Sequence, residues 1–241
     1  MPSRYTRVGS LAAVGILALS LAGCSTGGIL FGESSSASET TPTPTPTSTV
    51  VPFESEFTDM GSVHYPTMVA AQLQLDLDMW TEQKTHEWTA DSDKLYSIVI
   101  NVTDLTVPAT AAFATKRQVF MSNLSISYVP TMANGDKGSS VPLLTVNPVT
   151  ATLDPEALRS DQYGLLITSP KGGFQMESNE IGDLADDVTG ITLSFAMTIT
   201  AESAGGSNTY ITQPFVTPVE VAIFTEEDAA QAAAESEDGK N

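Results

Sequence analysis

The sequence predicts an all-β protein: an antiparallel β-sandwich of immunoglobulin-like type, with a β-barrel as the alternative. Three observations predict it. Apolar residues recur at every second position in several runs, the pattern of a strand with one buried and one wet face. Turn-forming residues separate those runs at short intervals. Between residues 59 and 225 there is almost no helical period.

The runs follow in order. Leu73, Leu75, Leu77 and Met79 alternate with Gln72, Gln74, Asp76 and Asp78, and Tyr96, Ile98, Ile100 and Val102 alternate with Ser97, Val99, Asn101 and Thr103. Residues 108–121 are open: alanines and a Pro at a first turn fit a helix, whereas Val119 and Phe120 fit a strand. Leu124, Ile126 and Tyr128 point inward, with Ser125 and Ser127 outward. Shorter strands are expected at Val141 to Val146, Val149 to Leu153 and Tyr163 to Thr168, separated by Asn147-Pro148, Asp154-Pro155 and Pro170-Lys171-Gly172-Gly173. Pro142 cannot donate to a ladder, which assigns the first of these to a sheet edge. Ile191, Leu193, Phe195, Met197 and Ile199 form the clearest run, and Phe215, Val219, Val221 and Ile223 share one parity on the way back. The segment Ala204-Gly205-Gly206-Ser207-Asn208 between them makes a hairpin with a long loop.

The flanks have a different character. Residues 24–58 are rich in Ser, Thr and Pro, and the alternation Thr41-Pro42-Thr43-Pro44-Thr45-Pro46-Thr47 favours extended polyproline II geometry. This segment reads as an unmodified tether, although its threonines are also of the kind that carry O-linked sugar. Residues 226–241 are acidic and alanine-rich without an apolar stripe, the composition of a mobile tail. What remains, residues 59–225, is long enough to be one domain with its own core.

Arg4 and Arg7 precede an uncharged, mostly apolar run from Val8 to Ala22. That run is shorter than the roughly 20 residues of a spanning helix and matches the core of an export signal. It ends in Leu21-Ala22-Gly23-Cys24, which resembles the lipobox of bacterial lipoproteins. The resemblance covers only the leader and Cys24. It implies removal of residues 1–23, a diacylglycerol on the Cys24 sulfur, and a membrane partner reached through that lipid on the extracytoplasmic face of the cell membrane. Two acyl chains hold a protein stably where one does so only marginally. Cys24 is the one cysteine in the chain, so no internal disulfide supports the fold.

There are 29 acidic residues against 10 basic ones, and two of the bases lie in the leader. Such a chain repels phosphate backbones, which excludes nucleic acid as a partner. His86-Glu87 begins like a zincin motif, but Ala90 stands where the second histidine is needed. With only one other histidine, no metal site, cofactor or catalytic residue is nominated. Glu177, Glu180, Asp183, Asp186 and Asp187 read as a solvated acidic connection lacking the spacing of a calcium loop. Lys116-Arg117, the adjacent basic pair, is expected to pair with surface carboxylates.

Trp80, His86, Trp88 and Tyr96 form the densest aromatic group. Core packing is the default for such rings, but parity sets Trp80 on the wet side with Asp76 and Asp78. Trp80, His86 and Trp88 are therefore the candidate contacts for a glycan or protein ligand. The expected function is a lipid-anchored cell-envelope protein with a binding or structural-interaction domain. The alternatives are a surface enzyme acting on glycan or peptide and a solute-binding lipoprotein; the latter class usually needs two α/β lobes.

Overall fold

A computed structural model describes Phe53, Ser55, Phe57 and residues 61–238. The leader, Cys24 and the Thr-Pro tract lie outside the described residues. The strands in chain order are β1 Ser62–Ala70, β2 Leu73–Trp80, β3 Lys94–Asp104, β4 Val119–Met132, β5 Val141–Val146, β6 Arg159–Ser160, β7 Gly164–Leu166, β8 Phe174–Ile181, β9 Val188–Glu202 and β10 Tyr210–Ala222. Two helices, α1 Pro148–Ala151 and α2 Glu226–Asp238, complete the set with two short 3-10 turns, Thr85–Glu87 and Phe113–Thr115.

These strands form two antiparallel sheets, β1-β2-β3-β8 and β10-β9-β4-β7-β6, with β5 added on β4. The sheets pack face to face as an antiparallel β-sandwich and do not close into a barrel. Leu75, Leu77, Met79, Ile98 and Ile100 from one sheet share a core with Leu124, Ile126, Ile191, Leu193 and Phe195 from the other. The period-two runs are the inner faces of their strands, because consecutive side chains on a pleated strand leave opposite sides.

The sheets are joined at both flanks. After β7 the chain leaves its own sheet: the Val102 N–H donates to Ile167 O at 2.7 Å and the Ser169 N–H to Val102 O at 2.8 Å. Ile167 meanwhile stays tied to Val119 O at 2.8 Å, so this stretch bonds to both layers. On the far flank the Gln213 side-chain amide donates to Val69 O, linking β10 to β1.

Three expectations need correction, and the open segment takes a definite form. Val149 to Leu153 is not a strand: Asn147 caps α1 by accepting the Val149 N–H at 3.0 Å, and Pro148 supplies its first residue. Residues 108–121 hold one 3-10 turn and then the start of β4, because the Arg117 and Val119 N–H groups are bound by Asp104 and Thr168. The acidic stretch is not all connection, since Glu177 and Glu180 lie on β8. Residues 226–238 form a helix capped by Thr225, whose hydroxyl accepts the Asp228 N–H at 3.1 Å. Three acids in that helix's first turn favour its N-terminal dipole.

The domain also begins earlier than residue 59. Phe57 is buried in the core, Phe53 lies against Gly190, and the Ser55 hydroxyl accepts the Ala222 N–H at 3.1 Å. The last residues of the tether are thus part of the packed structure.

Candidate functional site

Of the residues nominated from the sequence, Cys24 lies outside the described residues. Trp80 is half-buried on the wet face of β2, where parity sets it. His86 is half-buried in the Thr85–Glu87 turn. Trp88 presents no surface at all: it is 0% exposed, its ring centroid is 5.1 Å from that of Phe57, and its indole N–H donates to Gln83 Oε1 at 3.2 Å. The covering residue, Phe57, belongs to the stretch that reads as linker, so sequence parity could not reveal this burial. Tyr96 points into the core, and burial pushes its phenol up.

Around Trp80 the outer face of the first sheet is polar. His64 on β1 stands opposite Asp78, with Nδ1 2.7 Å from Asp78 Oδ1 and Nε2 3.7 Å from Asp76 Oδ1. The hydrogen bond to Asp78 raises the imidazole above its ordinary range; slight burial opposes this, and the charges of both aspartates add to it. Gln74 Nε2 also donates to Asp76 at 2.7 Å. These groups answer one another, leaving Trp80 at the edge of a self-satisfied polar patch.

The basic pair is internal, not at the surface. Arg117 is buried against Asp104, and Lys116 donates to Ala109 O at 3.0 Å. Lys94 is also fully buried, with its ammonium wrapped by the carbonyls of Thr89, Ala90 and Ser92. Burial lowers its pKa against the raising effect of Asp183, Asp93 and Asp91. Among the described residues, no three His, Cys, Asp or Glu side chains gather as metal ligands.

The arrangement best suited to a ligand lies on the outer side of the second sheet. Phe120 of β4 stacks with Tyr163 and Tyr210 at centroid distances of 5.7 and 6.0 Å, and the two tyrosines are 4.5 Å apart at 32°. They line a notch of about 370 Å³ with Phe113, Gln118, Leu158, Arg159, Ser160 and Leu166. That volume lies within the range of small-ligand sites.

Local structure explains each placement. The β4–β9 register shifts between Met121 and Asn123, and Phe120 stands opposite Thr200 on the outer face. Gly164 adopts φ +97°, and an added Cβ would lie 2.4 Å from Met121 O. Only glycine lets β7 approach so closely, and the preceding residue, Tyr163, is thereby set over Phe120. The Tyr163 N–H is held by Ser160 Oγ at 3.2 Å. Tyr210 opens β10 opposite Glu202, which is buried and accepts the N–H groups of Gln118 and Asn208. Burial, then the charge of Glu202 and the neighbouring Tyr163, raise the Tyr210 phenol, keeping it a neutral donor.

Sequence reasoning missed this notch. Its rings come from a 3-10 turn, two strands and a β-turn spread over positions 113 to 210, and no local spacing joins them. The faint signals were Phe120 in an otherwise ambiguous segment and Tyr163 directly before a glycine. At the far end of β10, a cleft of about 400 Å³ is lined by Phe53, Ser55 and Phe57, the residues that attach the tether, together with Val221 and Ala222. Its rings therefore serve that junction. No protein-family model matches the chain, and no curated protein matches it either.

Proposed function

We propose that this is a lipid-anchored protein of the bacterial cell envelope that holds a ligand-binding sandwich outside the membrane. The observation that carries the binding role is the Phe120, Tyr163 and Tyr210 notch, in which two partly exposed tyrosines pack over the buried Phe120 on an otherwise Ser- and Thr-rich face. Aromatic area of this kind is concentrated where proteins bind partners. The anchoring role rests on the resemblance of Leu21-Ala22-Gly23-Cys24 to a lipobox, followed by a tether long enough to lift the domain off the bilayer.

The two parts are tested separately. Cys24→Ala should move the protein from the membrane fraction to the soluble one and abolish labelling by a fatty-acid probe. A wild-type protein that stays unlabelled in a bacterium with intact lipoprotein processing sinks the anchoring role. For the binding role, Tyr163→Ala should leave the thermal midpoint within a few degrees of wild type and remove ligand binding. Retention of full binding by that variant would take the site elsewhere.

A further inference from the structure

We propose that the aromatic notch binds an acidic saccharide, with a sugar ring laid on Tyr163 and Tyr210 and its carboxylate or phosphate directed at Arg159; this rests on the binding role just given. The first support is the chemistry of the walls. Tilted rings offer π-faces to the C–H face of a pyranose, while the Tyr hydroxyls, Gln118 and Ser160 put hydrogen-bonding groups around them. The notch is open to solvent on its Leu158 side, where that residue is 48% exposed, so it suits a chain passing over the surface more than an enclosed apolar ligand.

The second support is charge. In a sequence with 29 acids and 10 bases, one cation, Arg159, stands in the wall of this notch, while Lys171, which lines a separate cleft, sets its ammonium 5.3 Å from the centre of the Phe113 ring. Among the described residues neither forms an ion pair, although the chain is rich in acids. Arg159 is held by its Nε, which donates to Val149 O at 3.2 Å. That bond leaves the two terminal nitrogens of the fork for an anion, the geometry in which guanidinium takes a carboxylate or phosphate in two hydrogen bonds. The carboxylate behind the rings, Glu202, is buried and already engaged by two backbone N–H groups. A net acidic body around a local guanidinium repels long polyanions at a distance, yet binds a short acidic segment on contact.

The test uses the full chain in detergent micelles, titrated calorimetrically with four probes. These are a glucuronate-containing oligosaccharide, its carboxyl-reduced neutral counterpart, a glycerol-phosphate oligomer and a proline-rich peptide. One or both acidic probes should bind at least about tenfold tighter than the neutral sugar, the worth of a charge-assisted contact. Which of the two binds tells carboxylate from phosphate. Arg159→Gln should erase that preference while leaving weak sugar binding, and Tyr163→Ala should erase both. Equal binding of acidic and neutral sugars, or an unchanged preference in Arg159→Gln, overturns the acidic class but keeps the notch as a binding site. Binding of the peptide alone, lost in Tyr163→Ala, overturns the saccharide and also keeps the site. No binding of any probe overturns this inference, whereas the binding role itself falls only if Tyr163→Ala is without effect on every ligand found.

Discussion

Arg117 shows how much of this fold can hang on one side chain. Its Nη2 lies 2.7 Å from Asp104 Oδ1, its backbone N–H donates to Asp104 Oδ2 at 2.8 Å, and its two terminal nitrogens reach Ala71 O and Gln72 O at 3.0 and 2.9 Å. One guanidinium therefore ties the β1–β2 turn, the end of β3 and the entry to β4 together. Burial would push the Asp104 carboxyl up, but hydrogen bonds from Arg117 and Thr106 outweigh it and hold the group well below the usual carboxylate range. Arg117→Met should cost about 3 to 5 kcal/mol in urea unfolding, because it leaves a buried charge unpaired. Arg117→Met with Asp104→Leu should cost less than the single change, since no charge is then stranded. A carboxyl with a depressed folded pKa contributes its stability above the unfolded value, about 3.9, and loses it as pH falls toward the folded one. The wild-type urea midpoint should accordingly drop more steeply below about pH 4 than that of the double variant. Parallel slopes would remove Asp104 from the account.

At the scale of elements, β7 is three residues long and decides more than its length suggests. It pairs with Phe120 and Met121 of β4, and the chain after it crosses to β3. Gly164 makes this possible by combining a left-handed backbone with contact against Met121 O. Gly164→Ala should therefore cost at least about 1 to 3 kcal/mol, because the obstacle is backbone and cannot swing aside. The same change should weaken ligand binding at the notch by displacing Tyr163, while a Tyr163→Ala protein stays close to wild type in stability. Thermal unfolding and calorimetry on the two variants read this contrast directly. Strands with a clear apolar parity were legible in the sequence, whereas β1 and the acidic β8, whose apolar residues do not alternate cleanly, were not. β9 shows its parity from Ile191 to Ile199, whereas Val149 to Leu153 carries the same apolar residues as a strand and is claimed by an Asn-Pro cap. In a short segment one side-chain hydrogen bond to the backbone outweighs a weak periodic preference.

On the scale of the whole molecule, the sandwich is completed by residues that arrive from the tether. Phe57 is 4% exposed and covers Trp88, while Ser55 bonds to the end of β10. Phe57→Ala should destabilise the protein by about 3 to 5 kcal/mol, as truncation of a buried ring does. It should also shift the emission of Trp88 to longer wavelength and open it to acrylamide. Trp88→Phe separates the two indoles, since the remaining signal then comes from the half-buried Trp80. An unchanged spectrum in Phe57→Ala would mean that the tether junction does not cover the indole.

Taken by itself, the sequence determined which residues face the core along β2, β3, β4, β9 and β10, and from that the all-β class. Alternation is a local property of the pleated backbone and needs no knowledge of the partner strand. It also placed Trp80 correctly beside Asp76 and Asp78, for the same reason. Only the tertiary structure decided the sheet order, the crossing of residues 167–169 between layers, the burial of Trp88 and the assembly of Phe113, Phe120, Arg159, Tyr163 and Tyr210 into one notch. Each of these joins residues distant along the chain, and their meeting depends on pairing register, a bulge and a left-handed glycine. Periodicity records which way a side chain points, but not what it meets there.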